Sequence, residues 1–235
     1  MTFPRTSGSA LELLDLPGLD AEELRNSLRD VGRLNRWFGG TQAVIDEIER
    51  IVTKRSLHGA ITVLDVGSGG ADIPRALVRW GERRGLRVQV VACDWHPQIP
   101  AIAAGFSRSN GSISFLRADA LALPLPDGGF DFVTCSLMLH HLGEEEVVSL
   151  LRKQRALPRH GLIVCDLERS RLGVAGVWLA ARVVCRSRLT RHDASLSVRR
   201  AYTLTELQDL ARRAGCADMR WCRSRFFRIV GVLEK

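Results

Sequence analysis

Short apolar runs alternate with amphipathic segments along most of this chain. The apolar runs occupy residues 61–66, 88–93, 113–118, 130–137 and 161–167. Nearly continuous runs of β-branched and aliphatic residues of this length are typical of parallel strands that are covered on both faces. Because helical patterns separate them, the sequence predicts an α/β fold with a mostly parallel sheet.

Helix start signals and a final β-rich stretch complete this picture. The helical patterns cover residues 20–31, 41–53, 144–154 and 203–214. Capping-box spacing marks the start of the first at Asp20 and of the last at Thr203. Residues 219–233 contain two β-rich runs, which predict an antiparallel hairpin that closes the sheet.

The most informative segment is the turn after the first apolar run. Glycines at 67, 69 and 70 follow the strand, and Pro74 suits the first turn of the helix that comes next. Glycine allows a tight turn and lets the backbone approach a ligand where a Cβ would collide. The unit strand, glycine loop, helix therefore predicts a site for a nucleotide-like cofactor.

The spacing within this loop excludes two common cofactor motifs. A dinucleotide fingerprint requires a third glycine at position 72, where the chain has Asp72. A phosphate-binding P-loop would continue with Gly-Lys-Ser/Thr, which is missing. The remaining pattern, Asp65-x-Gly67-x-Gly69-Gly70, resembles motif I of the class I methyltransferases that use S-adenosylmethionine (SAM). Asp72 itself is predicted to cap the helix or support the loop.

The resemblance covers about residues 60–235 and implies a Rossmann-like three-layer sandwich with a mostly parallel seven-stranded sheet, a closing antiparallel hairpin and an N-terminal helical lid. It divides the chain into a tail and lid, residues 1–59, and a SAM-binding domain, residues 60–235. The motifs Leu34–Gly40, Leu139–Leu142 and 189–202 resemble those of bacterial small-molecule methyltransferases of the ubiquinone, menaquinone and polyketide type.

The implied cofactor is SAM. A carboxylate at the end of the second strand, Asp94, can accept hydrogen bonds from both ribose hydroxyls, and Trp95 can stack on adenine. The cluster of Arg33, Asn35 and Arg36 is expected to reach the SAM carboxylate, because guanidinium binds carboxylates in bidentate fashion. Together with Arg36, the expected cofactor residues are Asp65, Gly67, Ser68, Gly69, Asp94, Trp95, Asp119, Ala120 and Ser136.

The acceptor site is expected in the long connection between the fifth strand and the last helix. Residues 167–202 exceed an ordinary connection and are predicted to form a cap over the substrate. Within it Trp178, Arg191 and His192 are the predicted substrate contacts. His140 and His141, just past the fourth strand, are the predicted catalytic residues, because imidazole can take a proton from a hydroxyl acceptor. No metal is expected here.

Composition narrows the setting. With 235 residues and 46% hydrophobic content, the chain can bury one good core. The six cysteines are scattered and have no ligand spacing, so buried reduced thiols are expected. No run is long enough to span a membrane, and the first residues lack the apolar core of a signal peptide, so a cytoplasmic protein is expected.

Charge is unevenly distributed. Residues 151–235 carry 19 Arg and Lys against 7 Asp and Glu. The arginines are dispersed and the chain has one Tyr, which argues against stacking on nucleic acid. A solvated basic face is the expected interpretation, and it is compatible with weak association to an anionic membrane surface.

The sequence thus predicts a SAM-dependent methyltransferase of secondary metabolism that acts on a small hydrophobic acceptor, with O-methylation of a phenolic or polyketide-derived hydroxyl preferred. C-methylation of a quinone precursor, a non-catalytic SAM-binding partner protein and an RNA methyltransferase are the alternatives. The absence of an Asn/Asp-Pro-Pro-Tyr motif after the fourth strand counts against methylation of a base nitrogen. Neither the acceptor nor the oligomeric state follows from the sequence.

Overall fold

Seven strands form a single sheet in the computed structural model, which describes residues 3–6, 12–16, 18–107 and 111–235. The strands are β1 (Ala60–Val66), β2 (Arg87–Asp94), β3 (Ile113–Arg117), β4 (Phe130–Ser136), β5 (Pro158–Leu167), β6 (Arg220–Ser224) and β7 (Arg228–Glu234). Their order is β3-β2-β1-β4-β5-β7-β6. The first five are parallel, and β7 pairs antiparallel with both β5 and β6. The predicted sheet and hairpin are confirmed.

Eight α-helices surround the sheet in the described residues. They are α1 (Ala21–Trp37), α2 (Gly40–Lys54), α3 (Asp72–Arg83), α4 (Ile99–Phe106), α5 (Glu144–Gln154), α6 (Arg171–Val184), α7 (Arg188–Arg200) and α8 (Leu204–Arg213). Alternate residues of the strands enter two separate clusters, one against α2 and α3 and the other against α5 and α8. Period-two burial on both faces is why the strands are apolar throughout.

The first helix is longer than its sequence pattern predicted. We expected it to end near Val31, but α1 continues to Trp37. Gly32, just beyond this predicted end, allows close packing, since a Cβ there would lie 3.2 Å from the Cβ of Asp72. Buried residues such as Leu28 and Asn35 continue along the inward face of the helix. Tertiary contact therefore extends a helix that local propensity would end.

The insertion between β5 and α8 folds into the helices α6 and α7. They pack on each other, and α1 contacts both. Together with α1 they form the cover over the carboxyl edge of the parallel strands, where an α/β sheet binds its ligands. Within the described part of the chain, no helix is both long enough and apolar enough to cross a bilayer.

Candidate functional site

A cavity of about 1010 Å³ opens at the carboxyl edge of the sheet. Its walls come from the glycine loop after β1, the ends of β2 and β4, the inner faces of α1, α6 and α7, and the N-terminal segment 12–16. Single ligand pockets typically range from about 300 to 1,000 Å³. The cavity is therefore large enough for a cofactor and an acceptor together.

The glycine loop forms the floor of this cavity. Gly67 and Gly69 have φ values of +70° and +49°, a region that L side chains rarely adopt. A Cβ on Gly67 would lie 3.0 Å from the Sδ of Met138. Ser68 donates its backbone N–H to the carbonyl of Cys93 at 2.9 Å, which ties the loop to the end of β2. Both glycines and Ser68 line the cavity, as predicted for the cofactor loop.

Asp94 lies against this loop at the end of β2. One carboxylate oxygen accepts the N–H of Gly69 at 2.9 Å, and the other accepts the N–H of His96 at 3.0 Å. The side chain is buried yet lines the cavity, and Trp95 beside it is 57% exposed at the rim. The two backbone donors fix the carboxylate toward the cavity, where it keeps lone pairs for a ligand hydroxyl.

Asp65 and Ser136 lie deeper, at the ends of β1 and β4. Burial, together with the nearby charges of Asp72 and Asp94, raises the pKa of Asp65 to about 7, although a hydrogen bond from Thr134 opposes this shift. Ser136 lines the cavity, and its hydroxyl oxygen is buried without a hydrogen-bond partner among the described residues. An orphaned buried hydroxyl is uncommon in native structures. It fits a polar group supplied by a bound ligand.

Asp119 and Ala120 form the wall beyond β3. Ala120 is buried and begins a short 3₁₀ helix, Ala120–Ala122. Asp119 caps this helix by accepting the N–H of Leu121 at 2.8 Å, and both residues line the cavity. The structure thus brings together every predicted cofactor residue on the glycine loop and at the strand ends.

Arg33 and Arg36 are the predicted cofactor residues that lie elsewhere. Arg36 is exposed on α1 and outside the cavity lining, whereas Asn35 is buried and lines it. Asn35 donates to Asp72 at 3.1 Å and accepts from the buried Arg228 at 2.9 Å. One step along a helix rotates a side chain by about 100°. Because α1 continues through this segment instead of turning, Asn35 faces inward and Arg36 faces solvent.

Asp72 is the first residue of α3 and does not cap it with its side chain. Its carboxylate accepts from Asn35 and lies 3.5 Å from the hydroxyl of Thr41, so it joins the glycine loop to α1 and α2. Burial is the largest cause of its raised pKa, and the hydrogen bond from Asn35 acts against the shift. The predicted supporting role is the one that the contacts favour.

His140 is held by a carboxylate from the neighbouring strand. Its Nδ1 lies 2.6 Å from Oδ1 of Asp166, and its backbone N–H donates to Oδ2 at 3.2 Å. Burial alone would raise the pKa of Asp166, but the charge of His140 and the hydrogen bonds outweigh it and keep that pKa below the usual value. A carboxylate on Nδ1 selects the tautomer whose Nε2 can accept a proton.

Glu12 faces the two histidines from the N-terminal segment. Its carboxylate is buried, with one oxygen 3.7 Å from Nε2 of His140 and the other 3.8 Å from Nε2 of His141. These separations are too long for direct hydrogen bonds. Since a hydroxyl oxygen fits at about 2.8 Å from two polar atoms that lie this far apart, the gap matches an acceptor hydroxyl.

The same three residues are also close enough together to be considered as metal ligands. One ring nitrogen of each histidine and one carboxylate oxygen of Glu12 lie within 4.8 Å of one another. Tetrahedral zinc with bonds of about 2.0–2.1 Å requires ligand atoms about 3.3 Å apart. The rings of His140 and His141 are tilted by 35°, with centroids 4.3 Å apart. The Glu12 oxygens lie 3.7 and 3.8 Å from the two Nε2 atoms, which is farther apart than this zinc geometry requires.

The N-terminal segment is fixed across the acceptor end of the cavity. The Asp193 carboxylate on α7 accepts the backbone N–H groups of Leu13 and Leu14 at 2.9 and 3.0 Å. Upstream, Arg5 donates to the carbonyls of Arg200 and Leu142 at 2.6 and 2.7 Å. We refer to residues 12–16 as the strap, because these bonds hold it over the histidines.

The three predicted substrate contacts all lie outside the cavity lining. Trp178 is half-exposed on the outer side of α6, whereas Val177 and Ala180 face the cavity. Arg191 donates to the carbonyl of Cys185, and His192 is exposed beside Asp193. The length of the connection predicted a cap in this region, and the orientation of α6 and α7 determines which of its residues point into the cavity.

Sequence reasoning missed Glu12, Asp166 and Arg228, all buried and all but Asp166 in the cavity lining. The rule that found Asp94 would also have found Asp166, which lies near the carboxyl end of β5. Glu12 is a lone charge in the apolar stretch Leu11–Leu14, which is a weaker signal. Arg228 carried no signal that separates it from a surface charge. Asp193, which the sequence paired with His192 as a candidate for substrate binding, is the member of that pair that lines the cavity.

The sequence of the central region is similar to known families. Residues 63–161 match the model described as a methyltransferase domain. A demethylmenaquinone methyltransferase of Thermus thermophilus is 36% identical over 85 residues, which cover 36% of this chain and 37% of that protein. A ubiquinone biosynthesis O-methyltransferase of Xanthomonas euvesicatoria is 29% identical over 162 residues, which cover 65% of this chain and 64% of that protein. These matches span about one third to two thirds of the relatives' lengths.

Solved structures share the fold at low identity. A SAM-dependent methyltransferase from Aquifex aeolicus superposes with a TM-score of 0.60 at 19% identity and covers 92% of this chain and 98% of its own. The magnesium protoporphyrin IX methyltransferase of Synechocystis, solved with bound S-adenosylhomocysteine (SAH), gives 0.55 at 16% identity over 84% and 83% of the two chains. At this identity the likeness establishes the fold alone.

Proposed function

We propose that this chain is a class I SAM-dependent methyltransferase and that it O-methylates a phenolic or polyketide-derived hydroxyl of a small hydrophobic acceptor. The observation that carries the proposal is the buried pair of His140 and Asp166, 2.6 Å apart, on the same cavity as the glycine loop. Transfer of a sulfonium methyl group requires only an aligned nucleophile. A buried histidine–carboxylate pair is not needed for that alignment, so its presence favours an acceptor that must lose a proton.

The cofactor end of the cavity fits SAM. When bound, SAM supplies an electrophilic methyl group on a sulfonium sulfur. The residues that would hold it are the backbone of the glycine loop, the fixed carboxylate of Asp94 and the orphaned hydroxyl of Ser136. Asp65 lies behind the loop and, with its raised pKa, limits the negative charge that the floor carries near neutral pH.

The acceptor end is mostly apolar. The apolar side chains that line it are Leu34 of α1, Phe38 just after α1, Val177 and Ala180 of α6, and Phe226 of the β6–β7 turn. Such walls favour an aromatic or aliphatic body and place few competing polar groups near the reacting oxygen. The polar groups converge at the other side of this space, where Glu12, His140 and His141 lie, which supports an acceptor with a hydroxyl at one end.

Nε2 of His140 would accept the proton of that hydroxyl, so that its oxygen could take the methyl group as the bond between that methyl and the sulfonium sulfur breaks and SAH leaves. Asp166 on Nδ1 stabilises the imidazolium that forms, and the Glu12 carboxylate lies on its other side. General bases of this kind contribute about 10²- to 10⁴-fold in rate. His141 lies beside His140, with ring centroids 4.3 Å apart, and is more exposed, so it can contact the acceptor directly.

C-methylation of a quinone precursor is the second candidate, favoured by the demethylmenaquinone methyltransferase among the relatives. In that reaction a ring carbon attacks after a ring hydroxyl ionises. The same pair of His140 and Asp166 would serve, so the site geometry supports both reactions. The atom that receives the methyl group distinguishes them.

The test is transfer of the labelled methyl of SAM to a panel of phenols, naphthoquinols and short RNAs, with the product position read by NMR. We expect O-methyl products from phenolic acceptors and none from RNA. Label on a ring carbon alone would replace O-methylation with the second candidate, and label on RNA alone would refute both. His140→Gln should abolish turnover yet leave SAH affinity unchanged, whereas Asp94→Asn should weaken SAH binding.

A further inference from the structure

The outward face of α6 is apolar although it is exposed. Leu172, Leu179 and Val183 are 74%, 58% and 78% exposed and, with Gly176 between them, form one stripe along the helix. Trp178 is 46% exposed on the neighbouring stripe. Isolated apolar residues on a surface are ordinary, but a contiguous stripe of this length indicates an interaction surface.

Other exposed apolar side chains extend this surface. Phe226 and Phe227, at the β6–β7 turn, are 52% and 37% exposed. The turn packs on α6, since a Cβ on Gly176 would lie 3.5 Å from the ring of Phe227. Phe226 in turn contacts Phe38 edge to face, with ring centroids 5.3 Å apart. We call α6 and this turn together the apolar face.

Positive charge surrounds the apolar face. The sequence from Arg169 to His192 contains six arginines and no aspartate or glutamate. Arg171 and Arg182 are exposed on α6, Arg186 is exposed just after it, and Arg225 is exposed beside the turn. The guanidinium of Arg182 lies 4.9 Å from the ring centroid of Trp178, which places a cation and an aromatic ring at the edge of the apolar stripe.

We propose that the apolar face docks on an anionic lipid surface. Apolar side chains would enter the boundary between headgroups and acyl chains, tryptophan would lie at the headgroup level, and the arginines would meet lipid phosphates. A second copy of the chain is a poorer occupant, because a two-fold contact through this face would bring the arginines of one copy against those of the other.

The position of the face gives this docking a consequence. Val177 and Ala180 of α6 and both phenylalanines of the turn line the cavity, so the face forms part of its rim. A chain docked in this way would open its acceptor end toward the lipid. A hydrophobic acceptor could then enter from the membrane without crossing water.

The test is co-sedimentation of the full chain with phosphatidylcholine vesicles, with and without phosphatidylglycerol. We expect binding only when phosphatidylglycerol is present, and less of it as salt increases. The triple variant Arg171→Gln, Arg182→Gln, Arg186→Gln should bind about 100-fold more weakly, at about 1 kcal/mol for each arginine. The matched control is the triple variant Arg79→Gln, Arg83→Gln, Arg87→Gln, which removes the same charge from exposed positions on α3 and β2. Its binding to the vesicles should be only slightly weaker than that of the wild type.

A second variant separates insertion from charge. Leu179→Glu with Val183→Glu should abolish binding, whereas Thr205→Glu with Gln208→Glu, exposed on α8, adds the same charge and should retain most of it. SAH affinity reports that each variant is folded, and none of these measurements depends on turnover. The proposal would be overturned if all variants bound the vesicles equally or if the wild type did not bind them. It would also be overturned if the chain self-associated and the changes at Leu179 and Val183 removed that self-association.

Discussion

Replacing Asp166 with asparagine tests the proposed base most directly. The carboxylate accepts three donors, the N–H of Leu167 at 2.7 Å and the backbone and ring nitrogens of His140. Asparagine has nearly the same shape but offers one oxygen and no charge. With its NH₂ group at the Oδ1 position the amide opposes the N–H of Leu167 and the Nδ1 of His140, and with it at the Oδ2 position it opposes the backbone N–H of His140. In both orientations the imidazolium loses the negative charge beside it.

The expected loss of rate follows from that lost charge. A unit charge about 4 Å from the imidazolium, at an effective dielectric constant of about 20, contributes about 4 kcal/mol. That energy corresponds to about 1,000-fold in rate. Because the imidazole carries only part of the positive charge in the transition state, we expect kcat to fall by about 100- to 1,000-fold.

The assay is the single-turnover rate of methyl transfer with saturating SAM and the best acceptor of the panel. The matched control is Asp30→Asn, which changes another buried carboxylate that accepts two backbone N–H groups, those of Arg186 and Ser187, outside the cavity. SAH affinity should be unchanged in both variants. If kcat of Asp166→Asn stayed within about threefold of the wild type, His140 would not be the base.

Three further predictions concern the strap, the buried carboxyl group of Asp65 and the glycine loop. Asp193→Asn weakens the hydrogen bonds that anchor the strap, residues 12–16. The KM for the acceptor should therefore rise about tenfold, which corresponds to a loss of about 1.4 kcal/mol in binding. The SAH affinity measured by calorimetry should stay unchanged, and a change in SAH affinity alone would contradict this role. Asp65 keeps its proton up to about pH 7 in the folded chain and loses it near pH 3.8 when unfolded, so it lowers stability progressively between these values. Asp65→Asn should remove this slope and add up to about 4 kcal/mol at pH 8 by urea unfolding, and a pH profile parallel to the wild type would count against the raised pKa. Gly67→Ala and Gly85→Ala each place an alanine in the left-handed backbone region, at φ +70° and +68°. Each substitution should lower the free energy of unfolding by about 1–2 kcal/mol. Only Gly67→Ala should weaken SAH binding.

The strand ends show how far sequence alone could locate the site. Asp65, Asp94 and Ser136 each follow or end an apolar run, and parallel strands bring their carboxyl ends to one edge. Their meeting therefore followed from the chain order and from the handedness of strand–helix–strand units. All of them line one cavity in the structure.

The cover over the site was less predictable. Trp178, Arg191 and His192 were chosen by residue type, but the packing of α6 and α7 turns other positions inward. Of the predicted cluster Arg33, Asn35 and Arg36, only Asn35 lines the cavity, because α1 continues six residues beyond its predicted end at Val31 and thereby sets the direction of these side chains. Residue type gives the chemistry, but the rotation of a helix about its axis depends on what it packs against.

The sequence by itself determined the order of strands and helices, the glycine turn and the acidic strand ends, because these depend on local periodicity, on backbone freedom at glycine and on connection rules. Only the tertiary structure decided that Asp166 orients His140 and that Glu12 lies against both histidines. Those contacts join residues 26 and more positions apart, and their geometry depends on packing that no local pattern encodes.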